Sequence, residues 1–256
     1  MPMNYVCDMD GVIYHGSQLI PGALDFVQRL QSGGHKFLFL TNNSQWTPRD
    51  LKHKLEQMGI SVDETAFHTS ALATADFLSR QMPDGTAYVI GGAGLTHALY
   101  SKGFTLTENN PDYVVVGETR SYDFEKIERA ARLIMKGARF IATNPDLTAT
   151  TEAGIVPACG ALVAPIELAT GKRPYFVGKP NPLMMWTALR SLQSSASEAF
   201  MVGDRMDTDI IAGTEANMRT ILVLSGVTSR VLIETYPYRP THIHEDVGHI
   251  PVEELG

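Results

Sequence analysis

Short apolar runs alternate with amphipathic stretches along the whole chain. This alternation is typical of a parallel sheet flanked by helices, because strands buried on both faces are apolar throughout while helices carry one apolar face. The predicted strands are Asn4–Cys7, Phe37–Leu40, Phe67–Thr69, Tyr88–Ile90, Tyr113–Val116, Phe140–Ala142, Tyr175–Val177, Phe200–Val202 and Ile221–Leu224. The predicted helices are Pro21–Gln31, Thr47–Gly59, Ser70–Gln81, Ala93–Ser101, Phe124–Met135, Ala161–Ala169 and Asp209–Ala216.

So many α/β units exceed what one sheet of a 256-residue chain usually holds, and two stacked α/β domains are the more economical interpretation. The polar residues that could take part in catalysis or ligand binding lie in the first 45 residues and after residue 178. The sequence therefore predicts a discontinuous core, residues 1–74 and 176–256, with an α/β domain of residues 75–175 inserted into it.

Composition narrows the range of partners. Hydrophobic residues make up 44% and charged residues 19% of the chain, which is typical of a globular protein. The net charge of −7 provides no basic footprint for nucleic acid, so we expect no nucleic-acid partner. An anionic small molecule remains compatible with this charge, because a few local cations can dominate the field inside a cleft.

The N-terminal sequence and the lengths of the apolar runs indicate a cytoplasmic location. An aspartate at position 8 interrupts the N-terminus too early for a signal peptide, and no apolar run approaches the ~20 residues of a membrane span. We therefore expect a cytoplasmic protein with no membrane partner. The two cysteines, Cys7 and Cys159, are interpreted as buried or semi-buried free thiols in a reducing compartment.

The strongest local signal follows the first predicted strand, where Asp8 and Asp10 are separated by one residue and followed by Gly11. Ligands of open α/β sheets collect at the carboxyl ends of strands. Two close carboxylates resist joint ionisation unless a cation neutralises them, and hard oxygen donors of this kind suit Mg²⁺. On its own, such a segment could equally be a solvated turn.

Three further predicted strands also run into polar groups. These groups are Thr41, Asn42 and Asn43 after Phe37–Leu40, Lys179 after Tyr175–Val177, and Asp204, Asp207 and Asp209 after Phe200–Val202. Each alone is explained by a turn, a helix cap or a surface lysine. Together, at one edge of one sheet, they would supply the acid, metal ligands, hydroxyl and cation that phosphoryl transfer needs.

These four segments resemble, in order, the four motifs of the haloacid dehalogenase superfamily: Asp8-x-Asp10-Gly-Val, Thr41-Asn42-Asn43, Lys179-Pro and Gly203-Asp204 with Thr208-Asp209. About 130 residues separate the threonine from the lysine, as in the subgroup with an inserted α/β cap of the C2 type. Residues 117–120, 142–146 and 157–161 resemble the NagD-like and 4-nitrophenylphosphatase-like branch, subfamily IIA. The resemblance covers essentially the whole chain and implies a three-layer Rossmann-like core.

The resemblance implies a magnesium-dependent phosphatase for small phosphomonoesters. Asp8 would be the nucleophile that forms an aspartyl-phosphate, and Asp10 the general acid and base. Lys179 would stabilise charge on the phosphoryl group, while Thr41, Asn42 and Asn43 would bind it. The implied metal residues are Asp8, Asp10 through its backbone carbonyl, Asp204 and Asp209. Of these, Asp209 would act indirectly, by contacting a group that binds the ion.

The inserted domain would close over the substrate and set specificity. Its candidate substrate contacts are Asn144, Asp146 and the turn Pro157–Ala161. The implied substrates are nucleoside monophosphates or sugar phosphates, with broad tolerance. The sequence leaves the physiological substrate open, and it leaves open whether the chain forms a homo-oligomer.

Two alternatives keep the same fold. A phosphotransferase or phosphomutase would use the same aspartyl-phosphate and pass the group to another acceptor, and a non-catalytic ligand-binding module would retain only the architecture. The glycine-rich run Val89–Gly94 lacks the spacing of a dinucleotide-binding fingerprint. The isolated histidines His15 and His35 are interpreted as surface or core residues.

Overall fold

In the computed structural model, residues 3–151 and 154–254 are described. The strands of the described residues are β1 (Asn4–Asp8), β2 (Tyr14–His15), β3 (Gln18–Leu19), β4 (Phe37–Thr41), β5 (Phe67–Thr69), β6 (Thr86–Ile90), β7 (Thr105–Leu106), β8 (Tyr113–Val116), β9 (Arg139–Ala142), β10 (Thr148–Thr151), β11 (Gly154–Pro157), β12 (Tyr175–Phe176), β13 (Ala199–Gly203), β14 (Arg219–Val223) and β15 (His242–His244). The helices are α1 (Ala23–Ser32), α2 (Pro48–Gln57), α3 (Ser70–Gln81), α4 (Ala93–Ser101), α5 (Phe124–Met135), α6 (Cys159–Thr170), α7 (Pro182–Leu192), α8 (Ile211–Glu215) and α9 (Arg230–Ile233).

The chain forms two compact units. The first comprises the chain up to Thr41, then Leu51–His68, and then the chain from Lys179 onward. The second comprises Asn42–Asp50 and Thr69–Gly178. Each unit has its own sheet and its own apolar core. Among the described residues, no helix has the length and apolar character needed to cross a membrane.

The first unit is built on a six-stranded sheet of order β15-β14-β13-β1-β4-β5. The central strand β1 runs parallel to β13 and β4, and β14 and β15 continue the parallel series. Asp8 pairs in register with Leu40, and Cys7 with Val202. The residues that follow β1, β4 and β13 therefore emerge at the same edge of the sheet.

Aromatic and aliphatic side chains fill the core of the first unit. Tyr5, Phe26, Phe39 and Phe200 are fully buried. The Tyr5 ring meets that of Phe26 edge-on at 6.1 Å and stacks on that of Phe200 at 5.7 Å, geometries that aromatic quadrupoles favour. This packing fixes β1 between its neighbours and so fixes the direction in which its last residue leaves the sheet.

The second unit is built on a parallel sheet of order β12-β9-β8-β6-β7. All four residues of β8 are buried, as expected for a strand covered on both faces. Helices α5 and α6 pack against each other beside this sheet. The strands β10 and β11 form a separate antiparallel hairpin.

The sequence prediction of an α/β fold with parallel sheets is confirmed, and each predicted strand and helix overlaps an observed one. One prediction about the sheets is wrong. The strand before Lys179, β12, pairs with β9 in the second unit's sheet, so only three of the four polar segments follow strands of one sheet. The apolar run Tyr175–Val177 shows that a strand forms but not which neighbour it pairs with, because pairing is decided by tertiary contacts.

Candidate active site

Three buried carboxylates meet at the carboxyl edge of the first unit's sheet. Asp8 is the last residue of β1, Asp204 follows β13, and Asp209 lies in the helical turn Met206–Ile210 that precedes α8. One oxygen from each of the three lies within 4.8 Å of the others. The structure therefore brings together Asp8, Asp204 and Asp209, three of the residues predicted from the sequence to belong to a metal site.

Lys179 is enclosed by this carboxylate cluster. Its Nζ lies 2.7 Å from Asp8 Oδ1 and 2.7 Å from Asp209 Oδ1, and its side chain is 3% exposed. Desolvation alone would lower the pKa of Lys179, but the charges of Asp209 and Asp8 outweigh it and raise the pKa above its usual value. Lys179 is therefore a fixed ammonium, although the strand before it belongs to the other sheet.

The cluster carries more negative charge than the lysine compensates. Burial raises the pKa of Asp8 well above its ordinary value, the ammonium of Lys179 opposes this, and the charges of Asp209 and Asp204 add to it. Burial, followed by the charge of Asp209, raises the pKa of Asp204 to about 7. When all three carboxylates are ionised, they leave a net charge of −2 beside the one ammonium, which one divalent cation would neutralise.

The hydrogen bonds of Asp204 and Asp209 distinguish their roles. Asp204 Oδ2 accepts the Val227 N–H at 2.7 Å, whereas its buried Oδ1 has no hydrogen-bond partner among the described residues. Asp209 Oδ1 accepts from Lys179, and Oδ2 accepts the N–H groups of Asp204 and Arg205 at 3.2 and 3.1 Å. Asp209 thus fixes the loop, while Asp204 presents an oxygen that a hard cation such as Mg²⁺ would satisfy.

Two glycines make room for the Asp204 carboxylate. A Cβ at Gly226 would lie 2.0 Å from Asp204 Oδ2, and one at Gly11 would lie 2.6 Å from the same atom. Gly11 also has a φ of +79°, in the left-handed region that other residues rarely adopt. The backbone therefore approaches this carboxylate more closely than any side chain would allow.

Asp10 stands apart from the cluster. Its side chain is 62% exposed, and Oδ1 lies 3.7 Å from His15 Nδ1. Desolvation by the surrounding protein raises the pKa of Asp10, against the lowering effect of Lys54 and His15. The structure does not bring the Asp10 carboxylate to the other three, and a raised pKa in an exposed position suits a proton donor better than a side-chain metal ligand.

His15 was not predicted from the sequence to lie near functional groups. Its Nε2 lies 2.8 Å from the Ser225 carbonyl oxygen, and the Ser225 hydroxyl donates to the Gly11 carbonyl at 2.7 Å. The hairpin β2–β3 returns the chain to the loop that carries Asp10. The short turn between Gly11 and Gly16 is the signal that could have indicated this proximity.

Thr41 is the last residue of β4 and follows Leu40, the register partner of Asp8. The next residue along the chain, Asn42, belongs to the second unit, as do Asn43, Asn144 and Asp146. Asn43 Oδ1 accepts the N–H of Gln45 at 2.9 Å and so stabilises the turn after β4. Thr41 therefore lies at the same sheet edge as Asp8.

Asn144 and Asp146 hold the backbone and side chain of Asn42. Asn144 is completely buried, and its Nδ2 donates to the Asn42 carbonyl oxygen at 2.6 Å. Asn42 Nδ2 donates to Asp146 Oδ2 at 2.8 Å. In the turn Pro157–Ala161, the Gly160 N–H donates to the Asp146 carbonyl. The described contacts of these predicted substrate residues are thus largely with one another.

Glu118 lies in the segment 117–120 that resembles the NagD-like branch, and it is a buried carboxylate for which no role was predicted. It follows β8 after Gly117, so an acidic residue just past an apolar strand was the available signal. Burial raises the pKa of Glu118, and hydrogen bonds from Ser44 and Asn144 oppose the rise. Cys7 and Cys159 are both buried free thiols, as predicted.

Together, these features define an α/β enzyme with a buried acidic centre and one enclosed lysine at the carboxyl edge of a parallel sheet. Two protein-family models match the chain, haloacid dehalogenase-like hydrolase over residues 5–105 and HAD-hydrolase-like over residues 176–250.

Curated relatives match over almost the full chain. Dihydroxyacetone phosphatase of Corynebacterium glutamicum strain R is 48% identical over 96% of this chain and 90% of its own length. Ribonucleotide monophosphatase NagD of Escherichia coli K12 is 46% identical over 97% of this chain and 98% of its own. The solved structure of NagD from E. coli K-12 superposes with a TM-score of 0.94 at 45% identity, covering 98% of this chain and 100% of that one.

This chain belongs to the haloacid dehalogenase-like hydrolases, in their NagD-like branch. The predicted family is thereby confirmed, and the chain is an enzyme of the phosphoric monoester hydrolase class.

Proposed function

We propose that this enzyme is a magnesium-dependent phosphomonoesterase that acts on small phosphorylated metabolites through an aspartyl-phosphate on Asp8. The observation that carries the proposal is the position of Asp8: one of its oxygens lies 2.7 Å from the buried ammonium of Lys179. Asp8 also belongs to the same acidic cluster as Asp204, whose Oδ1 has no hydrogen-bond partner among the described residues. Phosphoryl transfer to aspartate needs a carboxylate nucleophile, a fixed cation and oxygen ligands for a metal ion.

In the first half-reaction, a carboxylate oxygen of Asp8 attacks phosphorus. The new P–O bond to Asp8 forms as the bond to the leaving oxygen breaks, and Asp10 donates its proton to that oxygen. The raised pKa of Asp10 supports this role because the carboxyl keeps its proton closer to neutral pH. The products of this step are a free alcohol and phosphorylated Asp8.

In the second half-reaction, Asp10 acts as a base and takes a proton from a water molecule, whose oxygen attacks phosphorus. The bond between phosphorus and Asp8 breaks, and inorganic phosphate leaves. Asp10 ends the cycle protonated and Asp8 ionised, so the net reaction consumes one ester and one water.

Approach of an anionic ester to Asp8 is opposed by charge. Two unit charges at 4 Å repel by about 4 kcal/mol at an effective dielectric near 20. Lys179 offsets part of this repulsion because its ammonium is held against Asp8. Thr41, Asn42 and Asn43 are proposed to position the phosphoryl oxygens, with Thr41 at the sheet edge that carries Asp8.

Magnesium would be held by Asp8, Asp204 and the backbone carbonyl of Asp10, with Asp209 fixing the loop that carries Asp204. When bound, it would neutralise the two excess negative charges of the cluster and act as a Lewis acid toward a phosphoryl oxygen. This assignment is supported by Asp204 Oδ1, which has no hydrogen-bond partner in the described part of the chain, and by the neighbouring carboxylates of Asp8 and Asp209.

The second unit is proposed to be the inserted cap. The whole enzyme is proposed to act in the cytoplasm. Two relatives are a dihydroxyacetone phosphatase and a ribonucleotide monophosphatase, which supports small phosphate esters as substrates, with nucleoside monophosphates and sugar phosphates as the first to test. Asn144 and Asp146 are proposed to act through Asn42, which both contact.

The proposal is tested by a screen of phosphorylated metabolites with and without Mg²⁺, with Asp8→Asn as the control. We expect release of inorganic phosphate that requires Mg²⁺, and no turnover by Asp8→Asn in a protein with an unchanged circular dichroism spectrum. A pure Asp8→Asn preparation with near-wild-type turnover would refute the nucleophile. A new phosphoester in place of inorganic phosphate would identify a phosphotransferase.

A further inference from the structure

The carboxylate of Glu118 has no part in the proposed chemistry, yet it is the centre of a buried polar network in the second unit. Ser44 donates to Glu118 Oε2 from both its backbone N–H, at 2.9 Å, and its hydroxyl. Asn144 Nδ2 donates to Glu118 Oε1 at 2.6 Å. Because all three of these groups are donors, two from Ser44 and one from Asn144, the site requires an acceptor at both oxygens, as an ionised carboxylate provides.

The network extends from Glu118 to Asn42. The same Asn144 amide that donates to Glu118 also donates to the Asn42 carbonyl oxygen at 2.6 Å. The hydroxyl of Ser70 donates to that oxygen as well, at 2.5 Å. Glu118 thus orients Asn144, and Asn144 in turn fixes the backbone of Asn42, two residues before Ser44.

Gly178 closes the network from the other side. A Cβ at this position would lie 2.6 Å from Asn42 Oδ1 and 2.5 Å from the Thr143 carbonyl oxygen. The Gly178 N–H donates to that carbonyl at 2.7 Å. The register of β8, β9 and β12 explains the meeting, because Ala142 pairs with both Val116 and Phe176, and the residues after these strands emerge together.

We propose that Glu118 is a positioning residue for the phosphoryl group, acting through the network of Glu118, Ser44, Asn144, Asn42 and Gly178. The inference rests on the proposed function. Asn42 and Gly178 are the chain neighbours of Thr41 and Lys179, the hydroxyl and the ammonium proposed to hold the phosphoryl group. By fixing Asn42 and Gly178, the network restrains the backbone at the adjoining residues Thr41 and Lys179. A displacement of about 1 Å in groups that position a substrate costs on the order of 100-fold in rate.

The test compares Glu118→Gln with the matched control Glu125→Gln, whose residue is exposed in the first turn of α5. A glutamine keeps the shape of Glu118 but turns an NH₂ group toward a donor. We expect Glu118→Gln to raise the KM for ester and the Ki of inorganic phosphate at least tenfold, and Glu125→Gln to change either less than twofold. A purely structural Glu118 would lower the melting temperature and leave both constants of the folded enzyme unchanged.

A second pair of variants keeps the test decisive if Glu118→Gln does not fold. Ser44→Ala removes one donor and retains its backbone N–H, and Gly178→Ala presses on Asn42 from the opposite side. Both should raise the Ki of inorganic phosphate, and the double variant should show less than the product of the two effects. Unchanged Ki values in these folded variants would overturn the proposal. Wild-type enzyme without Mg²⁺-dependent, Asp8-dependent turnover would instead refute the proposed function.

Discussion

Replacing Asp204 by Asn should stabilise the metal-free protein, although it removes a proposed metal ligand. Burial and the charge of Asp209 raise the pKa of Asp204 from 3.8 to about 7. A carboxyl whose pKa is higher in the folded than in the unfolded protein contributes its full stability only at a pH below its unfolded-state pKa. This contribution is lost as the pH rises through its folded-state pKa. The wild-type cluster is therefore most strained above pH 7.

The magnitude follows from the cluster. A rise from 3.8 to about 7 corresponds to about 4 kcal/mol at pH 8, at about 1.4 kcal/mol per tenfold change in the ionisation constant. A single pair of like charges within 4.8 Å repels by about 3 kcal/mol at an effective dielectric near 20, which is of the same order. An asparagine amide left unpaired costs about 1–3 kcal/mol, so we expect a net gain of about 1–3 kcal/mol.

The assay is thermal unfolding at pH 5 and pH 8, in EDTA and in saturating Mg²⁺. For a chain of this size, the gain corresponds to a melting temperature about 2–12 °C higher at pH 8 in EDTA, with a smaller difference at pH 5. The control is Asp207→Asn in the same loop. Its ion pair with Arg205 outweighs desolvation and lowers the pKa of Asp207, so its loss should lower the melting temperature slightly.

Magnesium should reverse the order of the two proteins. Binding at 1,000 times the Kd adds about 4 kcal/mol to the wild type, whereas Asp204→Asn should gain much less because it lacks the second carboxylate. If Asp204→Asn melts below the wild type at pH 8 in EDTA, the charge-repulsion account of this cluster is wrong.

Three further changes test separate parts of the site. Lys179→Ala should lower kcat about 100- to 1,000-fold and, by leaving buried carboxylates unpaired, lower stability by about 3–5 kcal/mol; a change in KM alone would restrict Lys179 to substrate binding. Because desolvation raises the pKa of Asp10, kcat/KM for alkyl phosphates should fall as the pH rises through that pKa, and 4-nitrophenyl phosphate, whose leaving group needs no proton, should show a weaker fall. Gly226→Ala should weaken Mg²⁺ binding in calorimetry, since its methyl group would meet Asp204 Oδ2 at 2.0 Å; unchanged affinity would place the ion elsewhere.

Residues that directly follow a strand of the first sheet could be predicted from the sequence. Asp8 and Asp204 each come after an apolar run, and parallel strands release such residues at one edge. Lys179 could be predicted only from its resemblance to a family motif, because β12 belongs to the other sheet. The helix that follows, α7, was not predicted, although Asn181 caps it and Pro182 occupies its first turn.

The polar network of the second unit lay beyond the sequence pattern. Nothing in the run Gly117-Glu118 shows that Ser44, 74 residues away, supplies two donors to its carboxylate. Likewise, Asn144 was predicted as a substrate contact because it lies in the inserted domain expected to close over the substrate, and the structure shows its amide buried between Glu118 and Asn42. Long-range pairing of this kind depends on tertiary structure and leaves no periodic signal.

The central claim is that Asp8 carries the phosphoryl group, and the direct measurement is its capture in Asp10→Asn. With 4-nitrophenyl phosphate and Mg²⁺, this variant should still phosphorylate Asp8 but hydrolyse it slowly, because it lacks the base. We expect a burst of about one nitrophenolate per enzyme, and borohydride reduction followed by peptide mass spectrometry should find homoserine at position 8. A variant with no burst and with an unmodified Asp8, alongside an active wild type, would contradict the account.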